Sequence, residues 1–403
     1  MSRSGLLGVA GVAAVALLAG SITSQARNHP AGARRKRRSG RLPCRVVVVG
    51  AGFGGLAAAD RLAGQPGVDL TVIDARSNHL CQPLLCQVAT AALAPEDIAS
   101  PVRDILPVSP ALHVLRTKVV GVARGRGECC ATVNPSHTMS SSSQRGAQTS
   151  YFGHADWASL APSLKTVEDA LGLCHQILEV FGRASTADTA DREQLLTFVL
   201  IGGGPTGVEM AGAIAELAHD DFGQNCDLPQ MRARIILVEA GSRLLSAFPS
   251  DLSSYAEHAL RGLAVEIITG TKVTAIVPGA VHLGGKRIAA ASVIWTAGTE
   301  ATPVAEWLGV KPAHGGRVAV GRDLRVDGHA DIAVVGDVAL VIGKGGKPLP
   351  AWVPVAKQQG RFVANAILRR VRGRPAPGPF VGTMARWPRS AGTRQSPSLG
   401  HFT

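Results

Sequence analysis

Acidic residues are missing from both ends of this chain: none precedes Asp60 and none follows Asp337. Residues 1–45 carry nine Lys and Arg and residues 338–403 carry eleven, all unopposed. Between them, 22 bases face all 29 acids, a balance of −7, so the formal charge of +13 belongs to the ends. That excludes a uniformly basic nucleic-acid binder and describes a mildly acidic body with two basic tails. A disulfide framework is missing too, because seven cysteines, an odd number, are scattered through 403 residues. Their pattern points to a reducing compartment. What the chain does have is apolar character: 46% hydrophobic against 18% charged residues suffices for two or three packed domains and excludes a disordered or fibrous chain.

Gly5 to Ile22 contains no charge, and at about 1.5 Å per helical residue it falls just short of a ~30 Å hydrocarbon core. Half of it is Ala and Gly, which gain little from lipid. Three readings stay open for residues 1–43: a membrane anchor, a secretory segment with Ser24-Gln25-Ala26 as a poor cleavage site, and an over-extended gene start. As an anchor, the basic run Arg34-Arg35-Lys36-Arg37-Arg38 would hold the body at the cytoplasmic face of the membrane; otherwise the run is a solvated linker.

Arg45-Val46-Val47-Val48-Val49 is a β-branched run suited to a buried parallel strand. It enters Gly50-Ala51-Gly52-Phe53-Gly54-Gly55, followed by a helix-like Leu56–Leu62 and a second strand, Leu70–Ile73, ending at Asp74. Gly50 suits a tight turn, Gly52 a close approach to pyrophosphate, Gly55 close helix packing, and Asp74 a ribose diol. The triplet alone is a weak signal, since tight turns also use glycine; strand, triplet, helix, strand and acid in order are a strong one. The unit recurs as Phe198–Ile201, Gly202-Gly203-Gly204-Pro205-Thr206-Gly207, a helix from Val208 to Leu217, and Ile235–Val238 ending at Glu239. Two units imply two dinucleotides, commonly a flavin and a nicotinamide face to face. The blander reading is that one unit is structural only. Glu239 should bond the adenosine ribose and repel a 2′-phosphate, favouring NADH over NADPH.

With these residues in place, the chain resembles the type II, single-subunit, non-proton-pumping NADH:quinone oxidoreductases of the FAD-dependent pyridine nucleotide-disulfide oxidoreductase superfamily. The resemblance covers most of residues 44 to 380. It rests on Gly50–Ala59, Gln82-Pro83-Leu84-Leu85, Gln87–Thr90, Tyr151–His154, Leu164–Ala170, Gly202–Leu217, Trp295–Gly298 and Pro354–Gly360. It implies an α/β fold with two Rossmann-like, three-layer dinucleotide-binding domains, the FAD domain discontinuous. The expected parts are FAD domain 44–160, NADH domain 161–290, FAD domain with a quinone-end helix 291–370, and a disordered basic tail 371–403.

The resemblance further implies hydride transfer from NADH to FAD, then two electrons to a membrane quinone, with no metal and no nucleic acid; it allows a homodimer. Ile332–Val335 followed by Gly336 and Asp337 looks like the strand that returns to the flavin domain, with Asp337 at the ribityl and phosphate region. Ala297 and Gly298 look like the crossing that leaves the NADH domain. Carried over in the same way are Glu209 near the nicotinamide and flavin, Gln358 and Gln359 at the quinone end, and Phe53, Gly54, Pro83, Gln87, Val119 and Lys357 at the flavin. The blander readings are a helix-dipole acid for Glu209 and polar residues of an amphipathic helix for the glutamines.

The chain departs from the family in three places. Cys81 and Cys86 form a C-x4-C, roughly where disulfide reductases carry their redox pair, although leucines surround it; substituted packing residues are the alternative. Cys174 shares helical spacing with Leu164, Val167, Leu171, Leu178 and Phe181 and reads as core, and the adjacent Cys129 and Cys130 lack the second ligand pair of a zinc site. Residues 121–150 hold no five-residue apolar run where the family closes its flavin sheet, so a buried strand is not expected there and disorder is. Val381–Thr403 lacks the family's amphipathic membrane helices. A shifted reading frame would explain both segments. The cost would be a weakened FAD site, and it keeps a third reading open, a non-catalytic NADH-binding homologue.

Overall fold

The computed structural model describes residues 43–122, 131–133, 148–225, 232–301, 303–343 and 346–382. The N-terminal segment, the tail beyond 382, Cys129 and Cys130, and most of 121–150 lie outside the described residues.

The first glycine unit forms β1 (Cys44–Val49), α1 (Phe53–Leu62) and β2 (Val68–Asp74), followed by β3 (Leu112–Arg116) and β4 (Ala131–Val133). Next come α2 (Val167–Thr186), β5 (Thr197–Ile201), α3 (Pro205–Asn225), β6 (Arg234–Val238), β7 (Glu266–Ile268) and β8 (Ser292–Trp295). The chain returns through β9 (Arg325–Val326), β10 (His329–Val334) and α4 (Val353–Val371).

One six-stranded sheet, in the order β9-β10-β4-β1-β2-β3, is built on the first glycine unit, the expected flavin unit. Every neighbouring pair in it is parallel except β9 with β10. Val46 and Val48 of β1 point into a core completed by Leu56, Ala58 and Leu62 of α1 and Val363, Ala364 and Ile367 of α4. The two helices pack unusually close, since a Cβ at Gly360 would overlap the Gly54 carbonyl.

The second sheet, in the order β7-β6-β5-β8, is wholly parallel. All five residues of β5 are buried, as a continuous apolar run on a two-sided sheet requires. One face is covered by α2 and α3, through Ile177, Phe181, Met210 and Ile214. The other is covered by a three-stranded antiparallel sheet, through Ile276, Val281 and Leu283. At the start of α2, Thr166 Oγ1 accepts from the Asp169 N–H while the Asp169 carboxylate accepts from the Thr166 N–H, both at 3.0 Å, a reciprocal cap. Two short strands join the units side by side: Gln148–Thr149 entering the second pairs antiparallel with Thr299–Glu300 leaving it.

Three expectations need correction. Residues 121–150 do contribute to the flavin sheet: Ala131–Val133 is a parallel strand between β1 and β10. Three residues suffice because neighbours on both sides fix their backbone hydrogen bonds, so no long apolar run is needed. The boundary drawn at 290 cuts off β8, which pairs with β5 in the second sheet; the crossing lies just after it. On α2, Cys174 is buried as expected, but Leu171 and Leu178 are exposed, the buried face running through Ala170, Leu173, Ile177, Val180 and Phe181.

Candidate active site

The two glycine loops use one construction. In the first, Gly50 has φ +92°, a backbone closed to most L-residues, and a Cβ at Gly55 would overlap the Gly50 carbonyl. In the second, Gly202 has φ +119°, and a Cβ at Gly207 would overlap the Gly202 carbonyl. Ala297 presses against Gly202, leaving no room for a side chain there, whereas a Cβ at Gly204 would meet nothing within 4 Å. The crossing residue Thr296 completes the loop, its hydroxyl lying 3.0 Å from the carbonyls of both Ile201 and Gly202.

A carboxylate clamps each loop. Asp74 accepts from the Ala51 N–H at 2.7 Å and from the Arg76 N–H at 2.8 Å. Glu239 repeats this at corresponding positions, accepting from the Gly203 N–H and the Gly241 N–H, both at 2.6 Å. Asp74 is only 4% exposed, and burial pushes its pKa up to about 6 against those hydrogen bonds. Each carboxylate oxygen retains a lone pair for a ribose hydroxyl.

Asp337 sits in the short turn Gly336–Val338 after β10, where the returning strand was expected to place it. It presents exposed area, yet desolvation raises its pKa to about 6, with Lys165 and Arg317 pulling the other way. Lys165, from the segment before α2, is desolvated as well, which lowers its pKa against the attraction of Asp337 and Asp169.

The start of α4 lies over the first loop. The Lys357 ammonium stands 5.6 Å from the Phe53 ring centroid, and burial lowers its pKa. Gln358 is half-buried. Gln359 is placed differently from the quinone-facing position expected of it: it is 2% exposed, and its Oε1 accepts from the Gly336 N–H at 2.7 Å. It fastens α4 to the turn that carries Asp337. Pro83 and Gln87 are half-buried on the consecutive short helices Gln82–Leu84 and Leu85–Ala89, and Val119 packs on the edge of the flavin-unit core.

Glu209 is the fifth residue of α3, beyond its first turn, which weakens the helix-dipole reading. It presents exposed area, yet desolvation raises its pKa to about 7. Cys86 lies beside it: the Cys86 thiol contacts the Thr206 carbonyl at 3.8 Å, and burial together with the Glu209 charge pushes its pKa well up. Cys81 instead faces Lys357, and burial raises its pKa too. Both thiols are buried and in no disulfide, the surroundings of inert packing cysteines.

Sequence reasoning missed His79. It is buried, its Nδ1 lies 2.8 Å from the Ala51 carbonyl, and its ring meets Phe53 edge-on at 4.8 Å. No motif marks it; only the turn from β2 back under the loop brings it there. Glycine turns that exclude side chains, a carboxylate at each loop and desolvated Asp337 and Lys165 suit FAD in the first unit and a nicotinamide dinucleotide in the second.

The profile of the pyridine nucleotide-disulphide oxidoreductase family matches residues 44–360. The type II NADH:quinone oxidoreductase NdhA of Mycobacterium tuberculosis is 36% identical over 351 residues, covering 83% of this chain and 73% of that protein. The type II NADH:quinone oxidoreductase of Staphylococcus haemolyticus is 26% identical, covering 82% of this chain and 84% of that one. In fold, the chain matches NDH2 from Plasmodium falciparum in complex with NADH at a TM-score of 0.69 and 17% identity, over 80% of this chain and 83% of that one. The chain therefore belongs to the pyridine nucleotide-disulphide oxidoreductase family and, within it, to the type II NADH:quinone oxidoreductases.

Proposed function

We propose that the chain holds FAD on its first glycine unit, takes a hydride from NADH held on its second, and delivers two electrons to a quinone at the start of α4. The observation that carries this is the doubled clamp, Asp74 on Ala51 and Glu239 on Gly203. When bound, FAD supplies the hydride acceptor and the two-electron relay that no side chain offers.

The protein's own groups do the rest. The N-terminus of α1 and the Gly50–Gly55 loop would attract the flavin pyrophosphate, and Asp337 and Lys165 would hold the ribityl and phosphate region. Gly202–Gly207 serve NADH in the same way, and Glu239 accepts from the adenosine ribose and repels a 2′-phosphate. Ionised Glu209 would stabilise the positive charge that develops on the nicotinamide as the hydride leaves. Gln358 donates its amide to a quinone carbonyl, and the Lys357 ammonium adds a positive field.

The dithiol alternative loses support because Cys81 and Cys86 face different helices, one towards Lys357 and the other towards Thr206 and Glu209. The non-catalytic alternative loses its ground because Ala131–Val133 completes the flavin sheet. Among the described residues no helix is long and apolar enough to cross a membrane. We assign the basic ends a hold on anionic lipid at the cytoplasmic face, worth about 1 kcal/mol per basic residue near the surface, either alone or beside an N-terminal anchor in Gly5–Ile22, which lies outside the described residues.

The purified chain should carry one flavin, visible in its absorbance, and NADH should bleach it more readily than NADPH. A short-chain quinone should then restore the colour. A colourless protein, or a reduced flavin that a disulfide substrate reoxidises and quinone does not, would sink this reading.

A further inference from the structure

We infer that Phe248 and Trp352 form an aromatic clasp that sets how closely the NADH unit sits on the flavin unit, making both positioning residues for hydride transfer. The inference rests on the reaction proposed above. Their rings stack with centroids 4.5 Å apart and planes 27° from parallel, and each residue is half-buried.

Each end of the clasp is fixed to one of the nucleotide sites. Phe248 lies in the loop that follows Glu239. In that loop the Leu245 N–H donates to the Gly203 carbonyl at 2.8 Å, and a Cβ on Gly203 would come within 2.6 Å of the Leu244 side chain. Arg243 stiffens the loop from within: its guanidinium donates to the carbonyls of Phe248 at 3.0 Å and Ser246 at 2.7 Å, and to the Ser253 hydroxyl. Ser253 in turn donates to the Leu244 carbonyl at 2.7 Å. The Phe248 backbone is thus tied to Gly203, the second residue of the NADH glycine loop.

Trp352 is the N-cap of α4. Within two turns the same helix is fastened to the flavin unit at three points: Lys357 over Phe53, Gln359 on Gly336 and Gly360 against Gly54. The two units also meet at their paired crossings and where Leu85–Ala89 packs beneath α2 and α3. The clasp adds a contact on the flank of the loop that follows Glu239. Hydride transfer requires the reacting atoms within about 3–3.5 Å, so a contact that sets the spacing of the two units bears directly on its rate.

The test compares flavin-loaded wild type with Phe248→Ala, Phe248→Tyr and the double variant Phe248→Ala/Trp352→Ala in rapid-mixing experiments. Phe248→Ala should slow flavin reduction by NADH about threefold to tenfold, the range a stacked aromatic pair is worth. Reoxidation of chemically reduced flavin by quinone should stay within about twofold. Phe248→Tyr should restore the rate, and adding Trp352→Ala to Phe248→Ala should slow reduction no further. Unchanged reduction in Phe248→Ala overturns the clasp alone, as do equal losses in both half-reactions accompanied by flavin release. A wild-type flavin that NADH does not reduce overturns the proposed function and the clasp with it.

Discussion

His79 and Asp74 hold the same residue from opposite ends: the Asp74 carboxylate takes the Ala51 N–H at 2.7 Å, and His79 Nδ1 lies 2.8 Å from the Ala51 carbonyl. A carbonyl can only accept, so His79 carries its proton on Nδ1. Burial lowers its pKa to about 4, which leaves the ring neutral near pH 7. The middle of the first glycine loop is therefore locked before any ligand arrives.

Replacing His79 by Ala should leave that buried carbonyl unpaired, at about 1–3 kcal/mol, and weaken flavin retention about tenfold or more by equilibrium dialysis. His79→Gln, which keeps a donor, should recover most of the loss. Between about pH 4 and 6.5 the unfolded chain binds a proton at His79 that the folded one refuses, so this residue makes stability rise with pH. Asp74, raised to about 6, has the opposite sign, its stabilisation being lost as pH rises. Denaturant melts of His79→Ala should therefore show stability falling more steeply with pH across this window than in wild type. Parallel curves would argue against a neutral, buried His79.

Gly55 and Gly207 offer a separation of the two sites. An added Cβ meets backbone oxygen in both cases, Gly50 in one and Gly202 in the other, so neither loop can relax cheaply. Gly55→Ala should purify without flavin, whereas Gly207→Ala should keep its yellow colour and lose NADH binding by at least tenfold, measured by titration. Flavin loss in Gly207→Ala alone would reverse the cofactor assignment.

Glu209 should impose a pH dependence on the reductive half-reaction. Its pKa is raised to about 7, so it ionises as pH rises through neutrality, and only the ionised form stabilises a nicotinamide cation. Flavin reduction by NADH should accelerate with pH around 7. Glu209→Gln should flatten the profile and sit about tenfold lower at pH 8. An unchanged profile in that variant would remove Glu209 from the chemistry.

Gln358 and Gln359, adjacent in sequence, should fail in different assays. Gln359→Leu strands the buried Gly336 N–H, costing about 1–3 kcal/mol of stability, and should release flavin. Gln358→Ala should keep flavin and stability while raising the quinone KM. The reverse pattern would restore Gln359 to the quinone.

The difference between these two glutamines was partly written in the sequence. Val355, Gln359, Val363 and Ile367 recur every four residues on the buried face of α4, so the helical period already places Gln359 inward and Gln358 on its margin; motif resemblance alone treats them as equals. Both glycine loops and their carboxylates were legible to the residue, because each position there answers a backbone constraint that few residue types meet. Ala131–Val133 was not, since a three-residue strand is too short for any period and owes its conformation to β1 and β10 on either side. His79 and the Phe248–Trp352 stack were equally hidden: they join segments whose proximity is a property of the folded chain alone.

The pairing of Gln148–Thr149 with Thr299–Glu300 makes the NADH unit a cassette. Its entrance and exit lie one strand spacing apart, about 4.8 Å, so a short loop could rejoin the flavin unit if the cassette were cut out. The excised piece would begin and end at the same point on its surface. Exchanging such a unit between chains would rethread neither sheet, and would need only the packing of Leu85–Ala89 beneath α2 and α3 to be carried along.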